Sequence, residues 1–179
     1  METLKKGTNV FLVLVPHRDI RVALRKFSET LDIKEVYPFP WVAPLAVLSK
    51  PLKADELKQI AASLRNRTEK FCAKEPLINA FPAGKDSLSL LGTSLNLEIE
   101  PDIINKLRFM EVIKNPVVGM YLIPKNNTKL LREIPVSVKN VPKLSFRAAA
   151  AANMYFCKKS EDTYLWKIDK LYWLPKGES

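Results

Sequence analysis

Apolar residues in this chain form short runs separated by stretches with helical spacing. The first run, residues 10–15, is followed by apolar side chains three and four positions apart, at Ile20, Leu24, Phe27 and Leu31. This spacing predicts a strand and then a helix over residues 19–31, whose single apolar stripe faces that strand. Asp19 stands where a side-chain oxygen caps a helix start, so we expect it to be the N-cap.

The same pattern occurs a second time. The segments LVLVPHRDIRVALRKF (12–27) and LNLEIEPDIINKLRFM (95–110) each place a strand-like run before an identical DIxxxLR helix start. In the second segment the apolar stripe is Ile103, Leu107 and Met110, and Asp102 takes the capping position. We therefore predict one strand and helix unit used twice, in two related lobes.

The remaining segments predict a further helix and several short strands. One apolar face, formed by Leu57, Ile60, Ala61, Leu64 and Phe71, indicates a helix whose other sides are largely basic. Strand character occurs in residues 45–48, 77–81, 87–91, 117–123, 136–138 and 164–174. The segment SFRAAAAANMYF (145–156) leaves helix and strand equally open, because its alanines favour a helix and its aromatic residues a strand. The predicted fold class is α+β with mostly antiparallel sheets.

Length and composition indicate a single domain spanning residues 1–179. The chain is long enough to bury a core, and its proportions of apolar and charged residues are those of globular proteins. From the repeat we expect an N-terminal lobe over residues 8–92 and a C-terminal lobe over residues 93–176. The run at 10–15 is too short for a signal peptide or a membrane span, and Cys72 and Cys157 are isolated. These features predict a cytoplasmic protein with reduced thiols and no membrane partner.

The formal charge of +10 is the main indication of a partner. Clustered Lys and Arg side chains attract phosphates and release their counterions. Each half of the chain contributes +5, with 15 basic against 10 acidic residues up to residue 90 and 14 against 9 after it. The densest excess lies in residues 124–147, which are rich in Asn and Pro and predict a mobile basic connection or ribbon. Nucleic-acid binding and a merely solvated basic surface both stay open.

Most catalytic chemistries lack their residues in this sequence. His17 is the only histidine, and its place between Pro16 and Arg18 favours an exposed helix entry. The chain has no phosphate-binding glycine loop, no GxSxG or HExxH motif and no cluster spaced for a metal, so we predict neither cofactor nor metal. Adjacent acids such as Asp55 and Glu56 are expected at helix starts, where they interact with the helix dipole.

The order of the elements gives a resemblance to a known family. A strand, a DIxxxLR helix, a second strand and helix and the terminal segment YLWKIDKLYWLP together resemble the two-histidine (2H) phosphoesterase superfamily, which includes LigT-like cyclic nucleotide and RNA phosphodiesterases. The resemblance implies two pseudo-symmetric lobes around a groove, each with an HxT or HxS motif on a central strand. The first motif falls on Pro44 and Ala46, or one residue earlier, and the second on Val117 and Gly119. That mechanism needs two imidazoles, so the single histidine excludes two-histidine catalysis, and we assign no catalytic residue.

Such a groove would have an apolar floor. Side chains two apart on each strand face it, and these are Pro44, Ala46 and Leu48 on one side and Val117, Gly119 and Tyr121 on the other. The candidates to contact a ligand there are Tyr37, Trp41, Lys50, Tyr121 and Arg147. Alternatively, Tyr37, Phe39 and Trp41 fill the groove.

Three functions follow as hypotheses. The first is a non-catalytic relative of the phosphodiesterases that binds RNA or a nucleotide through its basic surface. The second is a protein interaction module that uses the apolar groove or the aromatic strand at residues 164–174. The third is an enzyme with an acid and base other than histidine.

Overall fold

The computed structural model describes residues 7–34, 36–64, 71–72, 76–83, 86–94, 102, 105, 111–137, 145–146, 148–160 and 163–173. Three helices lie in these residues: α1 (Arg18–Glu29), α2 (Ala54–Leu64) and α3 (Thr128–Ser137). The strands are β1 (Asn9–Pro16), β2 (Tyr37–Pro38), β3 (Ala43–Leu48), β4 (Phe71–Cys72), β5 (Pro76–Ala83), β6 (Asp86–Ser94), β7 (Glu111–Val112), β8 (Val117–Pro124), β9 (Ser145–Phe146), β10 (Ala148–Ser160) and β11 (Thr163–Trp173). The predicted α+β class is confirmed.

Two antiparallel sheets form the body of the protein. The larger has five strands in the order β11-β10-β1-β3-β7, and the second has four in the order β2-β8-β6-β5. Strands β4 and β9 form a separate two-stranded pair. The first strand of the chain therefore lies at the centre of the five-stranded sheet, between β10 and β3.

The two sheets pack face to face over a cluster of phenylalanine rings. Phe11 of β1 stacks on Phe81 of β5 with ring centroids 4.8 Å apart. Phe81 also meets Phe156 of β10 edge to face at 5.2 Å and Phe39 at 5.5 Å. All four rings are almost completely buried, so this cluster joins the two sheets into one core.

Helices cover the outer faces of both sheets. Ile20 and Leu24 of α1 pack in the same apolar cluster as Leu57 and Ile60 of α2, on the outer side of the five-stranded sheet. Further along α1, Phe27 packs with residues of β6, β8 and α3 on the outer side of the four-stranded sheet. The apolar stripe predicted for α1 is thus shared between the two sheets.

The alanine-rich segment is a strand. Ala150, Ala151 and Ala152 lie in β10 and are fully buried. β10 pairs with β1 on one side and β11 on the other, and this pairing outweighs the helix propensity of the alanines. Ala151 packs on the helix side while Ala150 and Ala152 face the other sheet, so small side chains allow close packing on both faces.

Four local predictions are wrong. Residues 136 and 137, which were predicted to be part of a strand, are the end of α3. Residues 128–137 of the predicted mobile connection are likewise helical. α1 begins at Arg18, one residue before Asp19, so its N-cap is His17. Phe71 lies in β4 instead of continuing the face of α2.

The lobe division at residues 92 and 93 does not match the sheets. Strand β1 from the first half pairs with β10 from the second half, strand β3 pairs with β7, and the four-stranded sheet likewise mixes both halves. Sequence periodicity reports local structure and says nothing of such distant pairing. The second copy of the repeat, residues 95–110, lies outside the described residues except for Asp102 and Asn105, which are helical.

Candidate functional site

The two strands expected to line the groove belong to different sheets and lie against each other. The amide of Gly119 in β8 donates a hydrogen bond to the carbonyl oxygen of Val42 at 2.9 Å. The amide of Phe39 donates to the carbonyl oxygen of Met120 at 3.0 Å. Residues 39–42 therefore run directly along β8, between it and the start of β3.

The space between these strands is filled. Gly119 leaves room for the Phe39 ring, since a Cβ at this glycine would overlap two atoms of that ring. What remains is a cavity of about 10 Å³ lined by Pro44, Ala80, Phe81, Leu90, Ile113 and Val117. Such a volume holds at most one water molecule, so no larger ligand fits in the cavity between Pro44 and Val117.

The predicted apolar floor is split between opposite faces. Pro44, Val117 and Gly119 face the core between the two sheets. For Pro44 this follows from its pairing with Val13, which belongs to that core. Ala46 pairs with Leu12 and, with Leu48, packs on the helix side of its sheet. A register shift between Leu12 and Val13 causes this difference, since one extra residue turns later side chains to the other face. The prediction that these six residues form one apolar floor is therefore wrong.

The proposed ligand-contacting residues are dispersed. The Tyr121 hydroxyl donates to the carbonyl oxygen of Ser28 in α1 at 3.2 Å, on the outer face of its sheet. Tyr37 meets Tyr164 edge to face, with ring centroids 5.1 Å apart. Trp41 is half-buried in the apolar clusters beneath the helices, and Lys50 is exposed. Arg147 lies outside the described residues, and the others do not converge on one site.

Titratable groups give little support for a catalytic site. His17 is exposed at the start of α1 and makes no side-chain capping bond. Burial raises the pKa of the Tyr155 phenol above its ordinary value of 10.0, and the Asp169 carboxylate raises it further. Within the described residues, no group of three His, Cys, Asp or Glu side chains is placed to hold a metal ion.

The outer face of α1 is a basic surface that sequence reasoning did not single out. Arg18, Arg21, Arg25 and Lys26 are exposed there, beside Asp19 and Glu29. The adjoining face of this helix, formed by Arg18, Asp19, Val22, Ala23 and Lys26, is open to solvent. The available signal was the spacing of Arg18, Arg21 and Arg25, which places them together on the side opposite the apolar stripe.

A second exposed feature is the strand at the edge of the five-stranded sheet. Leu165 and Trp166 in β11 are 46% and 45% exposed, and only Val22 is a comparably exposed large apolar residue in the described part of the chain. The sequence prediction of an aromatic, half-buried strand at 164–174 located this feature to within a residue at each end.

Comparison with protein-family models, with curated proteins and with solved structures finds no match to this chain. No helix among the described residues is both long enough and apolar enough to cross a lipid bilayer.

Proposed function

We propose that this protein is a non-catalytic RNA-binding protein of the cytoplasm, and that exposed cations on the outer layer of helices contact the RNA phosphates. The observation that supports this proposal is the contrast between the predicted groove and the outer face of α1. The space at Gly119 is filled by Phe39, whereas the cations of α1 are exposed. A filled groove leaves surface charge as the means of binding an anionic partner.

The basic surface extends beyond α1. Lys125, Lys129 and Arg132 are exposed at the start of α3, beside Glu133. α1 and α3 contribute Phe27 and Leu131 to the same apolar cluster, so both cover the outer face of the four-stranded sheet. Seven basic side chains on these two segments compare with three acidic ones.

Ion pairs within each helix reduce the excess of positive charge only slightly. Arg25 contacts Glu29 at 3.1 Å and Lys129 contacts Glu133 at 4.0 Å, both between exposed side chains one helical turn apart. Exposed pairs of this kind contribute little energy, so a phosphate competes well for the same cation.

The choice of RNA among polyanions rests on the resemblance to the two-histidine phosphoesterases, whose members include RNA phosphodiesterases. A chain with that ancestry and one histidine retains no means of cleaving the phosphodiester by that mechanism. Binding without turnover is the function left to it.

Fluorescence anisotropy with a labelled single-stranded RNA across a salt series tests the proposal. We expect the logarithm of affinity to fall linearly with the logarithm of salt concentration. The double variant Arg21→Glu/Lys26→Glu should bind about tenfold more weakly, and its salt slope should fall by about 1.4, the value for two phosphate contacts on a single strand.

The matched control is Lys53→Glu/Lys58→Glu, which makes the same change in net charge on exposed residues at α2. α2 covers the other sheet, so its variant should retain most of the affinity. Equal losses in the two variants would show that only net charge matters and would refute the α1 surface. Absence of binding at low salt would refute RNA binding itself.

A further inference from the structure

We propose that the protein forms a two-fold symmetric dimer in which β11 pairs antiparallel with β11 of a second copy, joining two five-stranded sheets into one. The inference is independent of RNA binding, since β11 and the basic surface of α1 and α3 are different parts of the molecule. It rests on the exposure of this strand and on the symmetry of its sequence.

β11 is an edge strand with exposed apolar side chains. It pairs with β10 from Thr163 to Trp173, and the sheet order places no other described strand on its far side. Leu165 and Trp166, which are nearly half exposed, point to opposite faces of the sheet because they are adjacent in a strand. A strand added at this edge would shield both of them.

The sequence of β11 is complementary to its own reverse. Residues 164–172, YLWKIDKLY, are nearly palindromic around Ile168. With the two-fold axis at Ile168, Lys167 stands opposite Asp169 of the second copy, and Asp169 stands opposite its Lys167.

The pairing of Lys167 with Asp169 is favourable in an antiparallel sheet. Residues directly opposite each other have Cβ atoms roughly 4.5–5.5 Å apart, close enough for opposite charges or apolar side chains to interact. The two-fold axis repeats the pair of Lys167 with Asp169, so this contact occurs twice.

Charge disfavours the two neighbouring registers. Moving the axis from Ile168 to Lys167 places two lysines opposite each other, and moving it to Asp169 places two carboxylates opposite each other. Like charges directly opposed destabilise a strand pair. The Ile168 axis avoids both of these clashes.

Two features of β11 limit pairing with unrelated strands. Lys167 is exposed on the edge, and three steps of β11 from Asp169 to Tyr172 match two steps of β10, which is a bulge. Edge lysines and bulges discourage indiscriminate association. Regular pairing is therefore concentrated on residues 167–169, where a second copy of the same strand supplies the opposite charges.

Charge exchange between two variants tests the proposal on the full chain. Lys167→Asp gives β11 two carboxylates around the axis, and Asp169→Lys gives it two ammonium groups. Each variant alone should dimerise about tenfold more weakly than the natural chain in sedimentation equilibrium, because like charges then oppose each other. An equimolar mixture should recover the natural affinity as a mixed dimer, since both opposed pairs become Lys with Asp.

Two controls keep the test decisive. Lys159→Asp makes the same charge change at an exposed position on β10 and should leave dimerisation unchanged. Circular dichroism verifies that each variant is folded. If Asp169→Lys does not fold, Ile168→Cys replaces it: oxidation should link two copies through the axis, whereas Leu165→Cys, far from its own copy, should not cross-link.

Each outcome of these experiments either supports or refutes the proposed dimer. A natural chain that stays monomeric over the whole concentration series would overturn the proposed dimer. That outcome includes the case in which β11 binds a different protein. A natural dimer that survives both single variants, or that cross-links equally through Leu165→Cys, would overturn β11 pairing around Ile168. Recovery in the mixture and specific linkage through Ile168→Cys are the results that support it.

Discussion

The side-chain amide of Asn153 forms two hydrogen bonds with the backbone of Leu52, 101 residues earlier in the chain. Its Nδ2 donates to the Leu52 carbonyl oxygen at 2.9 Å, and its Oδ1 accepts from the Leu52 amide at 3.0 Å. Asn153 is 1% exposed in β10, and Leu52 immediately precedes the capped start of α2. The pair therefore attaches the beginning of a helix to the middle of the sheet.

Replacing Asn153 by leucine should destabilise the protein by about 2–4 kcal/mol. Both backbone groups of Leu52 would lose their partner in a buried place, and each unsatisfied group costs about 1–3 kcal/mol. Urea denaturation measures the free energy of unfolding. Asn126→Leu, in the exposed turn before α3, is the control and should change stability by less than about 0.5 kcal/mol. Equal effects would mean that the Asn153 bonds contribute nothing particular.

Asn153→Asp should destabilise the protein in a pH-dependent way. A carboxylate accepts from the Leu52 amide but repels the Leu52 carbonyl, so the folded state favours the protonated acid. The pKa of the new carboxyl should therefore be higher in the folded than in the unfolded chain, where it is about 3.9. Stability relative to the natural protein should then be greatest below that unfolded value and fall as pH rises to the folded pKa. A difference in unfolding free energy that is constant with pH would contradict this.

Phe39 and Gly119 form a second matched pair, which closes the space at the motif positions. Gly119→Val should destabilise the fold by about 1–3 kcal/mol or more, because the added carbons overlap the Phe39 ring. Phe39→Ala should cost about 3–5 kcal/mol by leaving a cavity. In the double variant the valine partly occupies the space of the lost ring. The double variant should therefore lose less stability than the sum of the losses in the two single variants. Strict additivity in thermal or urea denaturation would show that the two residues do not share this space.

Local elements of this fold follow from local sequence, and the arrangement of the sheets does not. The spacing of Ile20 and Leu24 gave α1 to within two residues at its C-terminal end, since an amphipathic stripe is a property of neighbouring residues. The strand state of Ala150 depends on β1 and β11, which its own neighbours do not reveal. Pairing across such distances leaves no local trace in one sequence.

The candidate site was harder to predict because it depends on single-residue register shifts. Tyr121 was expected beside Gly119, but the shift between Leu91 and Gly92 turns Tyr121 to the outer face, where it bonds to α1. A slip of one residue reverses the face of every later side chain, and the sequence pattern of an entirely apolar strand does not indicate where the slip occurs. The filled state of the groove likewise depends on where residues 39–42 run.

Tyr155 should make the protein less stable at high pH. Its pKa is raised in the folded state, first by burial and then by the Asp169 carboxylate. Above the ordinary value of 10.0, the unfolded chain loses this proton while the folded chain keeps it, so the free energy of unfolding falls as pH rises through that range. Tyr155→Phe should reduce this decline, and Asp169→Asn should reduce it less, because burial is the larger cause. Identical declines in all three proteins would refute the assignment.

Glu56 should stabilise the start of α2 through a hydrogen bond to the helix cap. Its Oε2 accepts from the Lys53 amide at 2.7 Å, three residues earlier, in the arrangement of a capping box. Glu56→Ala should lower the free energy of unfolding by about 0.5–1 kcal/mol, and Glu56→Gln, whose amide oxygen can accept the same bond, by less. Asp55→Ala removes an equal charge from the same helical turn and is the control for the helix dipole. If Asp55→Ala and Glu56→Ala cost the same in urea denaturation, the dipole accounts for the whole effect; a larger loss for Glu56→Ala, recovered in Glu56→Gln, identifies the hydrogen bond as its source.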